Sequence, residues 1–265
     1  MTGRLLAGKV VLVVGAGPGL GRQAARLAAT EGASVVVTGR SGASLDGIVA
    51  EIASGGGAAT AIVADVTSDA DCGAAVAHAE STYGGLDVVV FNAYHPGSMN
   101  VHIEHASTEV WRAAFDVNVL GAMRVARAAI PALRRRRGGS IIAISSQIAR
   151  RSLPGRGDYT TSKAALLALV EVLAKELGPD GIRVNALVPG RMRGPAFDEN
   201  LRGKAAAAGV TFDELEQSIA AQLSLARIPT DEETARSILY LASSLSAGMT
   251  GQALDVNGGE TFRAL

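Results

Sequence analysis

The chain has 265 residues, 25 basic and 25 acidic side chains, a formal net charge of zero and 48% hydrophobic residues. Charge balance argues against a nucleic-acid surface, which needs a basic excess. The length suits one large α/β domain, and with no run of 18 uninterrupted apolar residues a membrane partner is not expected. The single cysteine, Cys72, allows no intrachain disulfide, so a reducing, cytoplasmic compartment is the expectation.

Val10–Val14 is a continuous apolar run, as a parallel strand buried on both faces should be. It ends in Gly15-Ala16-Gly17-Pro18-Gly19-Leu20-Gly21, and residues 22–32 then read as a helix. Residues 34–38 form a second strand, and 45–53 a weak helix closed by Gly55-Gly56-Gly57. A third strand, 60–64, runs into Asp65; a helix follows at 70–83; a fourth strand, 86–91, runs into Asn92. Ser107 caps a helix carrying Trp111 and Phe115, which either runs on or re-forms through Asn118 to 133. The fifth strand, 140–145, leads to Ser146, and a Gly/Pro-broken loop leads to a long helix over 159–177, rich in Ala and Leu. The sixth strand, 182–188, runs into Pro189-Gly190. One or two helices fill 197–225, another spans 231–243 behind a capping pattern at Thr230, and 253–256 is a last strand. This alternation predicts a doubly wound, Rossmann-type α/β/α sandwich with a mainly parallel sheet of about seven strands. One domain over 1–265 is expected, with a substrate flap around 191–225. Within it, 205–209 reads either as a mobile part of that flap or as an ordinary helix end.

In open parallel sheets, ligands sit at the carboxyl ends of the strands. The unusual residues collect there: the glycine loop after the first strand, Asp65 after the third, Asn92 after the fourth, Ser146 after the fifth, Pro189-Gly190 after the sixth. The loop spacing is Gly15-x-x-x-Gly19-x-Gly21; Leu20 breaks the G-x-G-x-x-G fingerprint. Such glycines let the backbone approach a pyrophosphate, and the helix start beyond offers N–H groups and partial positive charge. Tyr159 and Lys163 stand four apart, so on a helix they share a face. With Ser146 at the strand mouth they form a proton-transfer site. Ser145 is the rival for that role, but strand alternation aims the two serines at opposite faces.

Together these motifs resemble the classical short-chain dehydrogenase/reductase (SDR) family. Its Gly-x-x-x-Gly-x-Gly loop matches Gly15, Gly19 and Gly21, and its Tyr-x-x-x-Lys matches Tyr159 and Lys163. Its Ser thirteen residues before the Tyr matches Ser146, its helix Asn matches Asn118 in VNVLG, its Pro-Gly matches Pro189 and Gly190, and its C-terminal pattern resembles 249–259. The resemblance implies an NAD(P)-dependent oxidoreductase interconverting a carbonyl and an alcohol by hydride transfer. It implies Ser146 on the substrate oxygen, Tyr159 as general acid/base, Lys163 on the nicotinamide ribose and Asn118 anchoring a water in the proton path. Cofactor contacts are implied from Gly15, Gly17, Gly19, Leu20, Gly21, Asp65, Val66, Asn92, Ala93, Tyr159, Lys163, Pro189, Gly190 and Met192. Three positions depart from the pattern: Val14 replaces a Thr, Tyr94 stands where Gly is common, and Gly194 where a Thr that touches the nicotinamide amide often sits.

An acid ending the second strand would bind the ribose hydroxyls of NAD and repel the extra phosphate of NADP. Gly39 stands there, followed by Arg40, which can pair with a phosphate, and Ser41, which can donate to it. Pro18, where NADP-using relatives often carry a basic residue, points the other way. NADP(H) is the expected cofactor and NAD the alternative. Asp65 reads either as an adenine contact or as a helix cap. Bringing a tyrosine from a pKa of about 10 to near 7 requires about 4 kcal/mol. One cation at ~5 Å, with an effective dielectric of ~20, supplies about 3 kcal/mol, so Lys163, helped by an oxidised nicotinamide, is of the right size.

His95, His102, Glu104 and His105 make a candidate metal set, but the family chemistry needs none, and no metal is expected. Arg134 to Arg137 end a helix, where cations suit the dipole. Arg150, Arg151, Arg156, Arg191 and Arg193 follow the fifth and sixth strands. They point either to an anionic substrate, a carboxylate or phosphate-bearing thioester, or to surface and subunit contacts. Family members are commonly tetramers, so a homo-oligomer, tetramer or dimer, is expected, with the tail 258–265 a candidate contact. A non-catalytic dinucleotide sensor is the alternative from another class, kept open by Tyr94.

Overall fold

The structure, a computed structural model, describes residues 4–262. Seven strands, β1 (Val10–Val14), β2 (Ser34–Gly39), β3 (Ala58–Val63), β4 (Val88–Phe91), β5 (Gly139–Ile144), β6 (Ile182–Pro189) and β7 (Ala253–Val256), form one sheet in the order β3-β2-β1-β4-β5-β6-β7. Every pairing is parallel. The chain winds outward one way from β1 and the other way from β4, so a crevice opens between the carboxyl ends of these two neighbours.

Around the sheet lie α1 (Leu20–Thr30), α2 (Gly42–Ser54), α3 (Asp69–Tyr83), α4 (Thr108–Phe115), α5 (Gly121–Arg135), α6 (Gly157–Leu177), α7 (Pro195–Ala208), α8 (Phe212–Ala220) and α9 (Asp231–Ala242). β1 shows why both faces are covered. Val11 and Val13 pack with Leu27 of α1, Ile48 of α2 and Ile238 of α9. Leu12 and Val14 pack with Val76 of α3, Val125 of α5 and Leu166 of α6. Each such side chain contributes roughly 1.5–3 kcal/mol when fully buried. β3 lies at the edge, and its last residue, Val63, is exposed.

Helix starts follow the side-chain chemistry. Ser41, Ser68 and Ser107 cap α2, α3 and α4, and Thr211 and Thr230 form full capping boxes on α8 and α9. The cap of α3 is therefore Ser68 and not Asp65. The helix begun at Ser107 runs on: α4 passes through a π turn, Asp116–Leu120, straight into α5. A π turn widens the helix and is common at functional sites; this one carries Asn118. The flap region holds two helices, because Gly209 at φ +68° ends α7 in the left-handed conformation. Ala205 is buried, while residues 206–209 are exposed. β4 starts two residues later than expected, where Asp87 accepts from Val10 N at 2.9 Å. Among the described residues no helix is long and apolar enough to cross a membrane. Tail residues 263–265 lie outside the described residues.

Candidate active site

The glycine loop divides into two kinds of position. Gly15 has φ +80°, and a Cβ there would lie 2.4 Å from Ala93 N. A Cβ on Gly21 would lie 2.9 Å from both Ala16 Cα and Gly15 O. These two glycines are required by the packing of loop, helix and β4. Asn92 ties the same corner, donating from Nδ2 to Gly15 O at 2.7 Å. A Cβ on Gly17 or Gly19 would meet nothing within 4 Å, and no side chain caps the start of α1. The loop thus presents an open backbone surface and a bare helix N-terminus, the arrangement that accepts a phosphate.

A cavity of about 380 Å³ opens beside it, within the usual size of a cofactor cleft. Of the expected contacts, Gly15, Gly17, Arg40, Ser41, Asp65, Val66, Asn92 and Ala93 line it; Tyr94, His95 and Pro96 join them. Gly19, Leu20, Gly21, Tyr159, Lys163, Pro189, Gly190 and Met192 are not on its wall. Leu20, Gly21 and Pro189 are buried, Met192 packs on the core under α1 and α9, and Gly190 N donates to Val256 O at 3.0 Å. At the β2 end, a Cβ on Gly39 would make only ordinary contacts, the nearest 3.6 Å away. Arg40 is exposed and has no ion-pair partner among the described residues. Asp65 accepts from Thr67 N at 2.9 Å and from Thr67 Oγ1 at 2.8 Å. Chiefly through that backbone bond, its carboxyl is held below the usual range.

The proton-transfer residues do converge. Lys163 is 1% exposed and donates from Nζ to Ile144 O at 2.8 Å. That Nζ lies 5.8 Å from the Tyr159 ring centre and 6.0 Å from that of Tyr94. The two phenol rings meet edge to face, 6.5 Å between centres. The Ser146 hydroxyl lies near enough to the Tyr159 phenol to favour its ionised form, while its Oγ accepts from Ile148 N at 3.4 Å. Ser145 is buried and its hydroxyl is committed to Lys163 O at 3.0 Å.

Asn118 is fully buried. Its Oδ1 accepts from His95 N at 2.7 Å, and its Nδ2 donates to His95 O at 3.0 Å and to Ser162 Oγ at 2.9 Å. Both amide ends bond protein groups, and Asn118 thereby fixes the segment after β4. Asp158, also buried, reinforces this by accepting from Ser98 N and Tyr159 N, each at 2.7 Å. His95, Asp158 and Ser162 carry no motif of their own. The one local signal is Asp158, an acid in the first turn of α6.

Two electrostatic features bear on these expectations. Burial pushes the Tyr159 phenol up to about 12, with the Tyr94 phenol adding to it, while the Ser146 hydroxyl and the Arg156 charge oppose it. Burial pulls the Lys163 ammonium down to about 7. In the protein alone, desolvation of both groups outweighs their attraction, so Tyr159 is not acidified by Lys163 at rest. Secondly, the five arginines are not equally available. Arg150 pairs with Asp255 at 3.2 Å. Arg151 and Arg191 share Glu260, at 3.6 and 3.3 Å, and Glu260 also accepts from Gln147 at 2.8 Å. Arg193 is held by Asp198 at 2.7 Å and by Glu216. Arg156 alone among the five meets no carboxylate among the described residues.

The departures from the pattern are also placed. Val14 is buried at the end of β1. Tyr94 is exposed at the cavity wall, its ring beside Lys163. A Cβ on Gly194 would press on Asp231 Oδ2 at 3.1 Å. Among the described residues, no three His, Cys, Asp or Glu side chains are grouped to hold a metal ion.

Residues 15–261 match the family described as enoyl-(acyl carrier protein) reductase. The chain is 37% identical to an uncharacterized oxidoreductase of Methylorubrum extorquens, over 96% of this chain and 98% of that one. It is 33% identical to a 3-oxoacyl-(acyl-carrier-protein) reductase of Thermotoga maritima, over the same shares. A short-chain type dehydrogenase/reductase from Mycobacterium ulcerans shares the fold at a TM-score of 0.86 and 31% identity, covering 96% of this chain and 90% of that one. Glycine loop, parallel sheet and kinship agree over nearly the whole length, and the chain belongs to the short-chain dehydrogenase/reductase family of oxidoreductases.

Proposed function

We propose that the protein is an NADP(H)-preferring oxidoreductase that interconverts a ketone or aldehyde and its alcohol, with Tyr159 as the general acid/base. The convergence of Tyr159, Ser146 and Lys163 beside the β1/β4 crevice carries this reading. When bound, a nicotinamide dinucleotide supplies or accepts the hydride. The open backbone at Gly17 and Gly19 and the uncapped α1 receive its pyrophosphate. Ser146 holds the substrate oxygen, and Tyr159, beside the same hydroxyl, delivers or removes the proton. A phenol resting at about 12 is a stored acid, suited to reduction. Lys163 supports the opposite direction when it is charged, and Asn118 acts by fixing His95.

The preference for NADP rests on Arg40, exposed beside the N-terminus of α2 with its charge felt by Asp65, and on the absence of an acid at position 39. An anionic substrate is a narrower part of the reading. Arg156 is the cation left to meet it, and a 3-oxoacyl group, as in the name of the Thermotoga relative, falls within that class. A reducing cytoplasmic location suits a sole cysteine that is free and buried. A homo-oligomer, tetramer or dimer, suits the exposed Leu120 and Val172.

The test is a carbonyl panel followed by NADPH absorbance, with NADPH and NADH titrated in parallel. Turnover with NADPH, and an Arg40→Ala variant that loses roughly 10–100-fold in NADPH affinity but little in NADH affinity, is the expected outcome. Equal affinities would favour the NAD-linked alternative. Binding with no turnover on any carbonyl would favour a nucleotide sensor.

A further inference from the structure

Arg156 belongs to none of the motifs above. It stands at the start of α6, three residues before Tyr159 and so on the same helix face. Its guanidinium carbon lies 5.0 Å from the centre of the Tyr159 ring, over the ring face. The partners that hold it are neutral: Pro96 O, which accepts from Nη2 at 3.1 Å, and the sulfur of Met99. The positive charge therefore reaches the phenol without a carboxylate to offset it.

We propose that Arg156 is a positioning residue that favours ionisation of the Tyr159 phenol, acting as the fixed cation over its ring. The proposal rests on the reading of Tyr159 as the proton carrier. Its reason is a contrast between two cations. A guanidinium stays protonated at any working pH. Lys163 is fully buried with its ammonium held on Ile144 O, and burial weakens its hold on the proton. The other groups facing Tyr159 supply no fixed positive charge. Tyr94 opposes ionisation, Ser146 offers a hydroxyl, and His95 accepts from Gly97 N through Nδ1. The Asp158 carboxylate is engaged by the Tyr159 and Ser98 N–H groups. A unit charge ~5 Å from the ring centre, in a dielectric between ~20 and ~80, moves a phenol pKa by roughly 0.6–2.4 units.

The test reads the phenol itself. Tyr159 is replaced by 3-fluorotyrosine, a more acidic phenol that titrates below alkaline unfolding, and its ionisation is followed by fluorine NMR in the cofactor-free protein. Arg156→Met and Arg156→Gln, two uncharged variants, should each raise that pKa by roughly 0.6–2.4 units. Arg156→Lys should restore at least half of the difference. The alkaline limb of kcat/KM for alcohol oxidation should shift the same way. An unchanged fluorophenol pKa in both uncharged variants overturns the proposal, even if KM rises because the loop held at Pro96 has loosened. If Tyr159→Phe retained full turnover, the proton-carrier reading would fail, while the NMR titration would still decide whether Arg156 governs the phenol.

Discussion

Lys163→Met should make the fold more stable while abolishing turnover. The ammonium is 1% exposed, and Ile144 O at 2.8 Å is its hydrogen-bond acceptor. Its pKa falls from 10.5 in the free side chain to about 7. That gap corresponds to on the order of 5 kcal/mol between the charged and neutral forms. The sign follows from proton counting. Between these two values the unfolded chain holds a proton that the folded chain lacks, so stability rises with pH across the window and is lowest below it. Methionine keeps the unbranched stem and removes the charge, but loses the bond to Ile144 O, worth about 1.5–3 kcal/mol for a charged donor. A net gain of about 2–3 kcal/mol is expected near pH 6, shrinking towards about pH 10. Urea unfolding of both proteins at several pH values measures it. A variant no more stable than the wild type at low pH, or a difference that does not change with pH, would refute the reasoning.

Three further outcomes are expected. Gly15→Ala forces a Cβ against Ala93 and strains a φ of +80°, so it should cost about 2–4 kcal/mol and lower Tm by several degrees; Gly17→Ala meets only open space and should leave Tm unchanged while weakening nucleotide binding in a fluorescence titration. Asn118→Ala orphans the N–H and C=O of His95 and should cost about 2–4 kcal/mol, read as a lower urea midpoint together with faster amide exchange at His95. Asp87, whose carboxyl is held below its usual value despite burial by bonds from Val10 N and Arg136 and by the charge of Lys9, contributes stability present above the unfolded carboxyl pKa. The advantage of the wild type over Asp87→Asn should therefore vanish as pH falls through the folded value, as measured by acid titration of Tm.

Much of the fold was legible because its signals are local. A five-residue apolar strand, a glycine turn and a helix of Ala and Leu each declare themselves over a few residues, and five strand ends then point to one edge. The shared face of Tyr159 and Lys163 follows from helical spacing alone. What covers them does not. Burial raises the phenol and lowers the ammonium, and Tyr94 adds to the first effect by its charge. Which of the two readings of the arginines applies was not legible for a related reason. Their charges are visible in the chain, but the carboxylates that meet them come from elsewhere; Glu260 lies 113 residues from Gln147, on the loop it pins. Asn118 was found by pattern, but its partner, the backbone of His95, has no side-chain signature.

Comparing the wild type with Tyr159→Phe, under saturating NADPH and a carbonyl that the wild type reduces, tests the central claim most directly. The phenol hydroxyl is the proton source in this account, so the variant should keep its Tm and its affinity for NADPH and lose turnover by roughly 10²–10⁴-fold. Turnover within a few-fold of the wild type, with NADPH still bound, would contradict it.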